Sequence, residues 1–480
     1  MTQAHPLTEH DYEPLEEAAR LAAEKGARAT TELLTGDPAN EYFSDGVTES
    51  LLTSLSKIDG LKVISRGSVF RFKGQEVDPR EVGKQLNVAA VLEGSVRRDE
   101  NSVRVAVRLV SAEDGRVLWA SETYERTLRD IFALQDEIAR QVTTGLRFKL
   151  SGENAQQLTR RYTDNVEAYQ LYLKGRFFWN KRTQEGLRKG IEYFEQAIKL
   201  DPSYALAYAG LADSYNVMGS LGLIKPQEEY AKVEAAACKA LEIDETLSEA
   251  HTALAWVRFQ QWDWTGAEAE FKRAIELNPN YATAHQWYAE YLTAMARFDE
   301  ALAEIGRAQQ IDPTSLVINT IVAQTYLNAR QYDEAIEQCH KTLELDPSFE
   351  LAYIYLGNAY IEKGMYEEAL AEYQKAKQLE GTPAMLALTG ITYARSGNRE
   401  GARRALHELM AVSKQKYDPS FNIARIYANL GDRDEAFKWL EKLFDERSGA
   451  LIFLKVDPQL DKLRTDPRFT DLVRRVGLTP

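Results

Sequence analysis

The sequence has 480 residues, of which 44% are hydrophobic and 28% charged, and its net charge at pH 7 is -14. A chain of this length exceeds one ordinary hydrophobic core, so at least two structural units or an extended repeat are expected. The acidic balance repels polyphosphates, and basic residues occur only in scattered pairs such as Arg97-Arg98, so nucleic-acid binding is disfavoured. Cys238 and Cys339 have no CxxC spacing, which excludes a disulfide framework and favours reduced thiols in the cytosol.

Residues 1–34 are predicted to form a helical extension. Residues 13–25 have the charged, Ala-rich pattern typical of a helix. The N-terminus has no basic start followed by an apolar run, and no window of about 18 uninterrupted apolar residues occurs in the chain. We therefore expect neither export nor membrane insertion, and a cytoplasmic location.

The stretch TGDPANEYFSDGVTESLLTSL, residues 35–55, predicts a turn followed by a helix. Asp37-Pro38 supplies turn chemistry, and Ser44 or Asp45 is the predicted N-cap. A helix N-terminus can bind anions, but the acidic side chains here would repel them, so a structural role is preferred to a phosphate site. The helix would bury one apolar stripe: Val47, Leu51, Leu55 and Ile58.

Residues 60–146 predict a small α+β layer. GLKVISRGSVFRF, residues 60–72, predicts a strand, and Asp78, Pro79 and Glu81 begin a short helix as N-cap, first residue and capping-box partner. The alternation that follows predicts a three-stranded meander with turns at residues 99–101 and 114–115. A closing helix would pack on this sheet through Ile131, Leu134, Ile138, Val142 and Leu146.

A 34-residue repeat fills the second part of the chain. The unit tails IELNPN, QQIDPT, LELDPS and KQLEGT recur at this interval. Within each unit, two blocks of apolar residues at helical spacing are separated by a polar break, which predicts antiparallel helix pairs. Small residues that allow the two helices to approach closely keep the same period: Ala255, Ala289, Ala323 and Gly357.

Weaker copies extend the repeat to eight units over residues 165–446. Each unit of such a solenoid buries its apolar face only against its neighbours, so its ends need covering. Residues 447–480 contain two Asp-Pro turns and a short amphipathic helix, and they are predicted to cap the last unit. The expected fold class is mostly α: an N-terminal α+β domain followed by an α-solenoid of about eight helical hairpins.

These units resemble the tetratricopeptide repeat, whose helix-turn-helix unit has this period and these small-residue positions. In residues 35–150, the segments GDPANEYFSDGVTESLLTSL, SVFRFKG, VLEGSVRR and DIFALQDEIA resemble the TolB amino-terminal-like domain that precedes such repeats in many bacterial proteins. In those proteins the pair usually follows a class III adenylate cyclase, a Ser/Thr kinase or a winged-helix domain. The resemblance therefore implies a bacterial signalling protein.

One departure from that family concerns its first strand. The family opens with an apolar strand ending in Pro-Phe before the Gly-Asp-Pro turn, whereas this chain has AAEKGARATTELLTGDP. Either the strand is missing or residues 29–34 replace it. A missing strand would leave an unfilled sheet edge through which the protein could self-associate.

Catalytic signatures are absent from the sequence. It has no kinase HRD or DFG segment, no GxxxxGK[ST] and no GxGxxG, and no stretch resembles a cyclase catalytic domain. His251 and His285 occupy equivalent positions one repeat apart, but adjacent repeat helices are about 10 Å apart, so packing or groove lining is preferred to a zinc site. We expect no enzyme activity, no cofactor and no metal.

The concave surface formed by the first helix of each unit is the candidate binding site. Its predicted lining is polar and partly acidic with one large aromatic anchor, and it suits a partner segment with basic or amide side chains. For each residue, an ordinary solvated helix face is the alternative. The candidates are Trp256, Gln260, Gln286, Glu290, Gln324, Asn328, Asn358 and Glu362.

The sequence thus predicts a non-catalytic scaffold that binds a protein or peptide segment in the groove of a tetratricopeptide superhelix. The alternative is a regulatory half or remnant of an adenylate cyclase or Ser/Thr kinase, acting on a separately encoded catalytic partner. An enzyme with an unrecognised hydrolytic site is a third, weaker reading.

Overall fold

A computed structural model describes residues 27–34, 40–58, 61–75, 77–99, 102–146, 161–220, 223–379, 383–412 and 419–478. It consists of a small mixed sheet domain, eight helical hairpins and a C-terminal segment, so the predicted fold class is confirmed. The helix predicted at residues 13–25 and the turn at Asp37-Pro38 lie outside the described residues.

The sheet has the strand order β2-β1-β3-β4-β5, and β6 pairs with a second stretch of β4. β1 runs parallel to β2 and β3, while β3, β4 and β5 form the predicted antiparallel meander. The six strands are β1 Ala27–Leu34, β2 Leu61–Val63, β3 Ala90–Asp99, β4 Ser102–Ser111, β5 Val117–Ala120 and β6 Tyr124–Thr127.

The first strand is present. In β1, Ala29 lies opposite Val63 of β2 and Ala90 of β3, so β1 fills the position between them. The predicted helical extension is therefore wrong for residues 27–34, and the sheet domain starts no later than residue 27 rather than at 35. Pairing with two neighbouring strands makes ARATTELL a strand although its own strand pattern is weak. The predicted self-association required an unfilled sheet position here, and β1 occupies that position.

Four helices cover the two faces of the sheet: α1 Glu41–Ser56, α2 Arg66–Phe70, α3 Pro79–Leu86 and α4 Ile131–Gly145. The apolar stripes predicted for α1 and α4 are buried in one core cluster with the sheet. The Asp78 carboxylate caps α3 by accepting the backbone N–H of Arg80, as predicted.

Two local predictions in this domain are wrong. α1 begins at Glu41, so Ser44 and Asp45 lie inside the helix, where both are buried. Asp45 pairs with Lys73 and Arg66 instead of capping the helix, because a buried carboxylate needs a cation. The strand predicted over residues 60–72 is limited to β2, and α2 follows it after two residues.

The eight hairpins form the solenoid, and each has a first and a second helix. In chain order the pairs are α5 Val166–Trp179 and α6 Gln184–Leu200; α7 Ala205–Ser220 and α8 Pro226–Ile243; α9 Ser248–Gln260 and α10 Trp264–Leu277; α11 Ala282–Ala294 and α12 Phe298–Ile311; α13 Leu316–Asn328 and α14 Tyr332–Leu345; α15 Glu350–Glu362 and α16 Tyr366–Leu379; α17 Pro383–Arg395 and α18 Arg399–Val412; α19 Ser420–Leu430 and α20 Arg433–Asp445. Short 3-10 turns at Gly449–Phe453 and Pro458–Leu463 and the helix α21 Pro467–Val476 complete the chain.

One polar position near the start of the first helix holds the loop between hairpins. His251, His285, Asn319 and Tyr353 occupy it in four successive hairpins. Each side chain hydrogen-bonds to the backbone oxygen of the residue six positions earlier. The two imidazoles therefore fix loops, which agrees with the packing interpretation of these histidines. Within the described ranges, no three His, Cys, Asp or Glu side chains are grouped to hold a metal ion.

Close helix contact depends on the small residue in each first helix. A Cβ atom built at Gly357 would lie 2.5 Å from Cε1 of the buried Tyr373 on the second helix. We expect Gly357→Val to lower the free energy of unfolding by about 1–3 kcal/mol through overpacking. Urea denaturation followed by far-UV circular dichroism measures it. The matched change is Gly306→Ala, where a Cβ meets no atom within 4 Å, and helix propensity should stabilise by about 0.5–1 kcal/mol. Equal midpoints for the two variants would contradict this account.

Candidate functional site

The inner face of the solenoid is formed by the first helices, which pack side by side in successive hairpins. The residue after the small residue of each first helix defines one column along this face, which we call the inner column. Its members, from the first hairpin to the eighth, are Arg176, Asp213, Trp256, Glu290, Gln324, Asn358, Ile391 and Arg425. The residue four positions later lies one turn further along the same helix face.

At the first hairpin, the inner column binds the sheet domain. Glu49 of α1 accepts hydrogen bonds from Arg176 Nε at 2.6 Å and from Asn180 Nδ2 at 3.3 Å. Arg176 also lies 3.4 Å from Asp213 of the second hairpin. Burial by itself would raise the pKa of Glu49, but the Arg176 and Arg66 guanidinium groups outweigh it and lower that pKa. The carboxylate is thus held as an anion between the two domains.

At the eighth hairpin, the same two positions bind the C-terminal segment. Arg425 Nε donates to Asp457 Oδ2 at 2.7 Å, and Asn429 Nδ2 donates to the Gln459 carbonyl at 2.9 Å. An arginine in the inner column followed by an asparagine four residues later therefore occurs at both ends of the solenoid. We call Arg176-Asn180 and Arg425-Asn429 the end clamps.

The C-terminal segment, residues 449–478, also returns to the third, fourth and fifth hairpins. Arg330 Nη1 donates to the Val456 carbonyl at 2.7 Å, and Trp264 Nε1 donates to the Val476 carbonyl at 3.0 Å. Lys455 Nζ reaches the carbonyl of Met295. The segment therefore does more than cap the last hairpin, because it closes the solenoid along the C-terminal ends of its first helices. Its fully buried anchors are Leu451, Leu454, Leu460 and Leu463.

The sheet domain borders the opposite rim of the inner face, at the N-terminal ends of the first helices. Asn280 Nδ2 donates to the carbonyls of Ser56 and Leu61 at 2.8 and 2.9 Å. Further along the rim, Ser68 Oγ lies 2.9 Å from Thr314 Oγ1, and Arg71 Nη2 donates to the Leu345 carbonyl at 3.1 Å. The chain itself thus borders the inner face on both rims.

Between the two borders lie four of the predicted groove residues, Trp256, Glu290, Gln324 and Asn358, all half-buried in consecutive hairpins. The Trp256 ring packs on Trp287 with centroids 4.9 Å apart, so this aromatic residue also supports the fold. The Asn358 side-chain oxygen accepts the Tyr373 hydroxyl at 2.7 Å.

Glu290 has an unusual setting among these four. The Gln286 amide donates to its carboxylate at 3.2 Å, and no ion pair to a described lysine or arginine accompanies this bond. Desolvation by burial raises the pKa of Glu290 to about 7, and the hydrogen bond from Gln286 opposes this only in part. A half-buried carboxylate without a cationic neighbour can form an ion pair with a lysine or arginine of a partner.

Of the remaining predicted residues, Gln260 contacts the C-terminal segment, and Asn328 and Glu362 are nearly closed to solvent. A Cβ atom at Gly449 would lie 2.3 Å from Gln260 Oε1, and Asn328 is 6% exposed. The Glu362 carboxylate is 5% exposed and pairs with Arg395 at 2.9 Å. The C-terminal segment limits the access of a partner to Gln260, and burial limits it to Asn328 and Glu362.

The candidates predicted from the sequence do not include the end clamps or Asp213. The column of candidates was followed through the four regular units only, whereas the upstream hairpins have longer inter-helix loops. Extending the register from the small residues Gly175, Ala212 and Ala424 would have reached them. The sequence pattern does not show their role, since Glu49 lies 127 residues from Arg176 and Asp457 lies 32 residues from Arg425 in a segment outside the repeat.

Comparison with known proteins identifies the repeat. Tetratricopeptide repeat models match residues 258–324, 326–390 and 418–447. The chain therefore contains tetratricopeptide repeats, a class of helical hairpin that supports a role in protein interaction. The resemblance of residues 35–150 to the TolB amino-terminal-like domain stays a prediction.

Among curated proteins, the chain is 38% identical over 179 residues to a protein of Rhizobium meliloti (strain 1021) named Putative adenylate cyclase 3. The match covers 37% of this chain and 30% of that protein, so the chain spans less than a third of its relative's length.

Among solved structures, the fold is similar to pilF of Pseudomonas aeruginosa, with 21% identity, 45% of this chain and 94% of that chain covered, and a TM-score of 0.35. A tetratricopeptide repeat protein from Parabacteroides merdae ATCC 43184 has 15% identity, 57% and 100% coverage and a TM-score of 0.41. With TM-scores below 0.5, neither similarity supports a conclusion about this chain. None of the helices in the described ranges combines the length and apolar character needed to cross a membrane.

The first end clamp should be essential for stability. Arg176→Met would leave Glu49 and Asp213 buried without their shared guanidinium, and we expect it to lower the free energy of unfolding by about 3–5 kcal/mol. Differential scanning calorimetry measures the effect. The control is Arg404→Met, because Arg404 is 72% exposed and 3.9 Å from its partner Glu400; it should change stability by less than about 0.5 kcal/mol. Similar melting temperatures for both variants would rule out a structural role for the clamp.

Glu290 should make stability depend on pH. Its folded-state pKa of about 7 lies above the ordinary value of 4.5. At a pH between these two pKa values, the folded chain binds a proton that the unfolded chain does not. The free energy of unfolding therefore rises as pH falls from 8 towards 5. Against wild type, Glu290→Gln should flatten this rise by about 1–2 kcal/mol, after discounting for solvent screening. Urea unfolding across this pH range tests it, with Glu276→Gln on the exposed face of α10 as the control. Parallel pH profiles for wild type and Glu290→Gln would refute it.

Proposed function

We propose that this protein is a non-catalytic, cytoplasmic scaffold in bacterial signalling that holds a segment of another protein on the inner face of its repeats. The observation that carries the proposal is the part of the inner column in the third to sixth hairpins, which we call the free stretch because none of the described residues of the sheet domain or the C-terminal segment ion-pairs with it or hydrogen-bonds to it. Trp256, Glu290, Gln324 and Asn358 follow each other there in four hairpins and keep part of their surface exposed.

The end clamps support the use of this column for binding. At both ends, side chains in it hold groups that come from elsewhere in the chain, Glu49 and Asp457. The same positions in the third to sixth hairpins have no such occupant among the described residues. A partner segment would make there the kind of contact that the chain makes with itself at the two ends.

The chemistry of the free stretch defines the partner segment. Glu290 offers a carboxylate to a lysine or arginine, and Gln324 and Asn358 offer amides to a backbone or a polar side chain. Val317 and Leu351, the second residues of α13 and α15, are 45% and 41% exposed. They give apolar contact near the N-terminal rim. A short segment with one basic residue and neighbouring apolar residues fits this arrangement.

Charge-swapped peptides test the proposal. A library of short peptides with a central lysine between apolar residues is compared with the same library carrying glutamate at the centre. Fluorescence anisotropy should detect binding of lysine peptides only, and Glu290→Lys should weaken it about 10- to 100-fold, equal to losing one partly buried ion pair. The matched control is Glu337→Lys on the second helix α14, where Glu337 is 68% exposed.

The pH dependence of binding gives an independent check. A cation on Glu290 favours the ionised carboxylate, so affinity for lysine peptides should rise as pH increases from 6 to 8. About tenfold is expected, since the free carboxyl group has a pKa of about 7. If wild type and Glu290→Lys bound every peptide with equal affinity, the inner column would not be part of the binding site.

A second function is favoured by the relative named Putative adenylate cyclase 3, which matches 37% of this chain. In this alternative the chain is a regulatory half or remnant of a cyclase or Ser/Thr kinase, and it acts on a separately encoded catalytic partner. Adding the purified chain to the isolated catalytic part of that relative and measuring ATP turnover tests it. A change in turnover that saturates with chain concentration supports the regulatory function, and a rate independent of the chain excludes it for that enzyme.

A further inference from the structure

The two borders of the inner face differ in chemistry. The C-terminal segment is fixed by leucine side chains that are fully buried against the last hairpins, including Leu451 and Leu460. Along the rim of the third to sixth hairpins, the sheet domain is held by hydrogen bonds, which include those of the Ser68 hydroxyl to the Asp312 carboxylate and of Arg71 to the Leu345 carbonyl. The other polar groups and backbone atoms of this rim belong to Ser56, Ser65, Asn278, Asn280 and Thr314. When the two surfaces separate, water can replace such hydrogen bonds, whereas nothing replaces the free energy of leucine burial. The polar border is therefore the one that can open.

The sheet domain is anchored in a different way at the first hairpin. Tyr169 and Leu173 of α5 belong to the same core cluster as α1, α4 and the sheet. A Cβ atom at Gly46 of α1 would lie 2.6 Å from Leu173 Cδ2, so the two helices are in close contact. The first hairpin and the sheet domain thus form one apolar unit. A hinge at this apolar contact would let the sheet domain move relative to the polar rim.

From this contrast we infer that the sheet domain is a gate: it pivots on the first hairpin, and its polar contacts with the later hairpins close one side of the inner face. In the closed arrangement, Ser68 Oγ lies 2.9 Å from Thr314 Oγ1, just before α13. Gln324 lies on the same helix, about 12 Å from its start at 1.5 Å per residue. Opening at Ser68 therefore widens the approach to the helix that carries the half-buried Gln324.

The gate goes beyond the proposed function and can be tested without a partner. In a Cys238→Ser background, Ser68→Cys and Thr314→Cys supply a disulfide across the closed rim, and Gln324→Cys supplies a reporter thiol on the inner face. The remaining native thiol, Cys339, is fully buried, and burial raises its pKa to about 12, so it stays unreactive. The probe is a bulky fluorescein maleimide, and the rate at residue 324 is followed by peptide mass spectrometry. Glu337→Cys on α14 is the matched exterior reporter.

We expect oxidation to slow labelling of residue 324 by the bulky probe about tenfold and reduction to restore it, because the locked rim keeps the approach to this half-buried position narrow. Labelling at residue 337 should be the same in both states. Equal rates at residue 324 in the oxidised and reduced proteins would overturn the gate, because the inner face would then be reached without movement of the sheet domain.

A second variant covers the case in which the disulfide does not form. Ser68→Ala with Asn280→Ala removes hydrogen bonds of the polar rim and leaves the apolar contact with the first hairpin intact. Labelling at residue 324 should then become about three- to tenfold faster. An unchanged rate in this variant would likewise overturn the inference. Neither result depends on peptide binding, so failure of the gate and failure of the proposed function remain distinguishable.

Discussion

The ion pair between Glu49 and Arg176 is the interaction on which the arrangement of this molecule depends. A repeat solenoid has two open ends, and each must be covered because a hairpin buries its apolar face only against neighbours. Here the sheet domain covers the first end, and Glu49 fixes its orientation through bonds to Arg176 and Asn180. A charge pair at this depth stabilises little by itself, but loss of one partner leaves an unpaired buried charge. The pair therefore allows one docking geometry and penalises others.

The same device recurs at the other end, where Arg425 and Asn429 hold the C-terminal segment. The solenoid thus uses equivalent positions of its inner column in two ways. At the ends these positions bind groups from other parts of the chain, and in the third to sixth hairpins they remain partly exposed, where Glu290 forms no ion pair with a described lysine or arginine. This difference between the ends and the middle follows from the positions of the two inner-column arginines, Arg176 and Arg425. An arginine in the column attracts a carboxylate of the chain, whereas a carboxylate in the column repels the acidic surface of a chain with net charge -14.

The local structure of the hairpins and of most of the sheet domain could be predicted from the sequence. The stripes of α1 and α4 follow from helical periodicity, and the N-cap at Asp78 follows from side-chain chemistry within three residues. The helix start was misplaced at Ser44 and Asp45, since the preference for a cap lost to an ion pair of Asp45 with Lys73, which lies 28 residues away. The strand β1 had a weak pattern of its own, and its two parallel neighbours determine it.

For the candidate site, the sequence determined the set of residues and the structure determined which of them are free. A period of 34 residues places Trp256, Glu290, Gln324 and Asn358 on one face, because successive hairpins repeat the same local geometry. That Gln260 lies against Gly449 and that Glu362 pairs with Arg395 is decided by elements that are 189 and 33 residues away in sequence. Helical periodicity is a short-range property and can be read from the chain. The closure of the solenoid by its two ends depends on contacts between separate elements, such as Arg425 with Asp457 across 32 residues and Arg176 with Glu49 across 127, and only the tertiary structure fixes those.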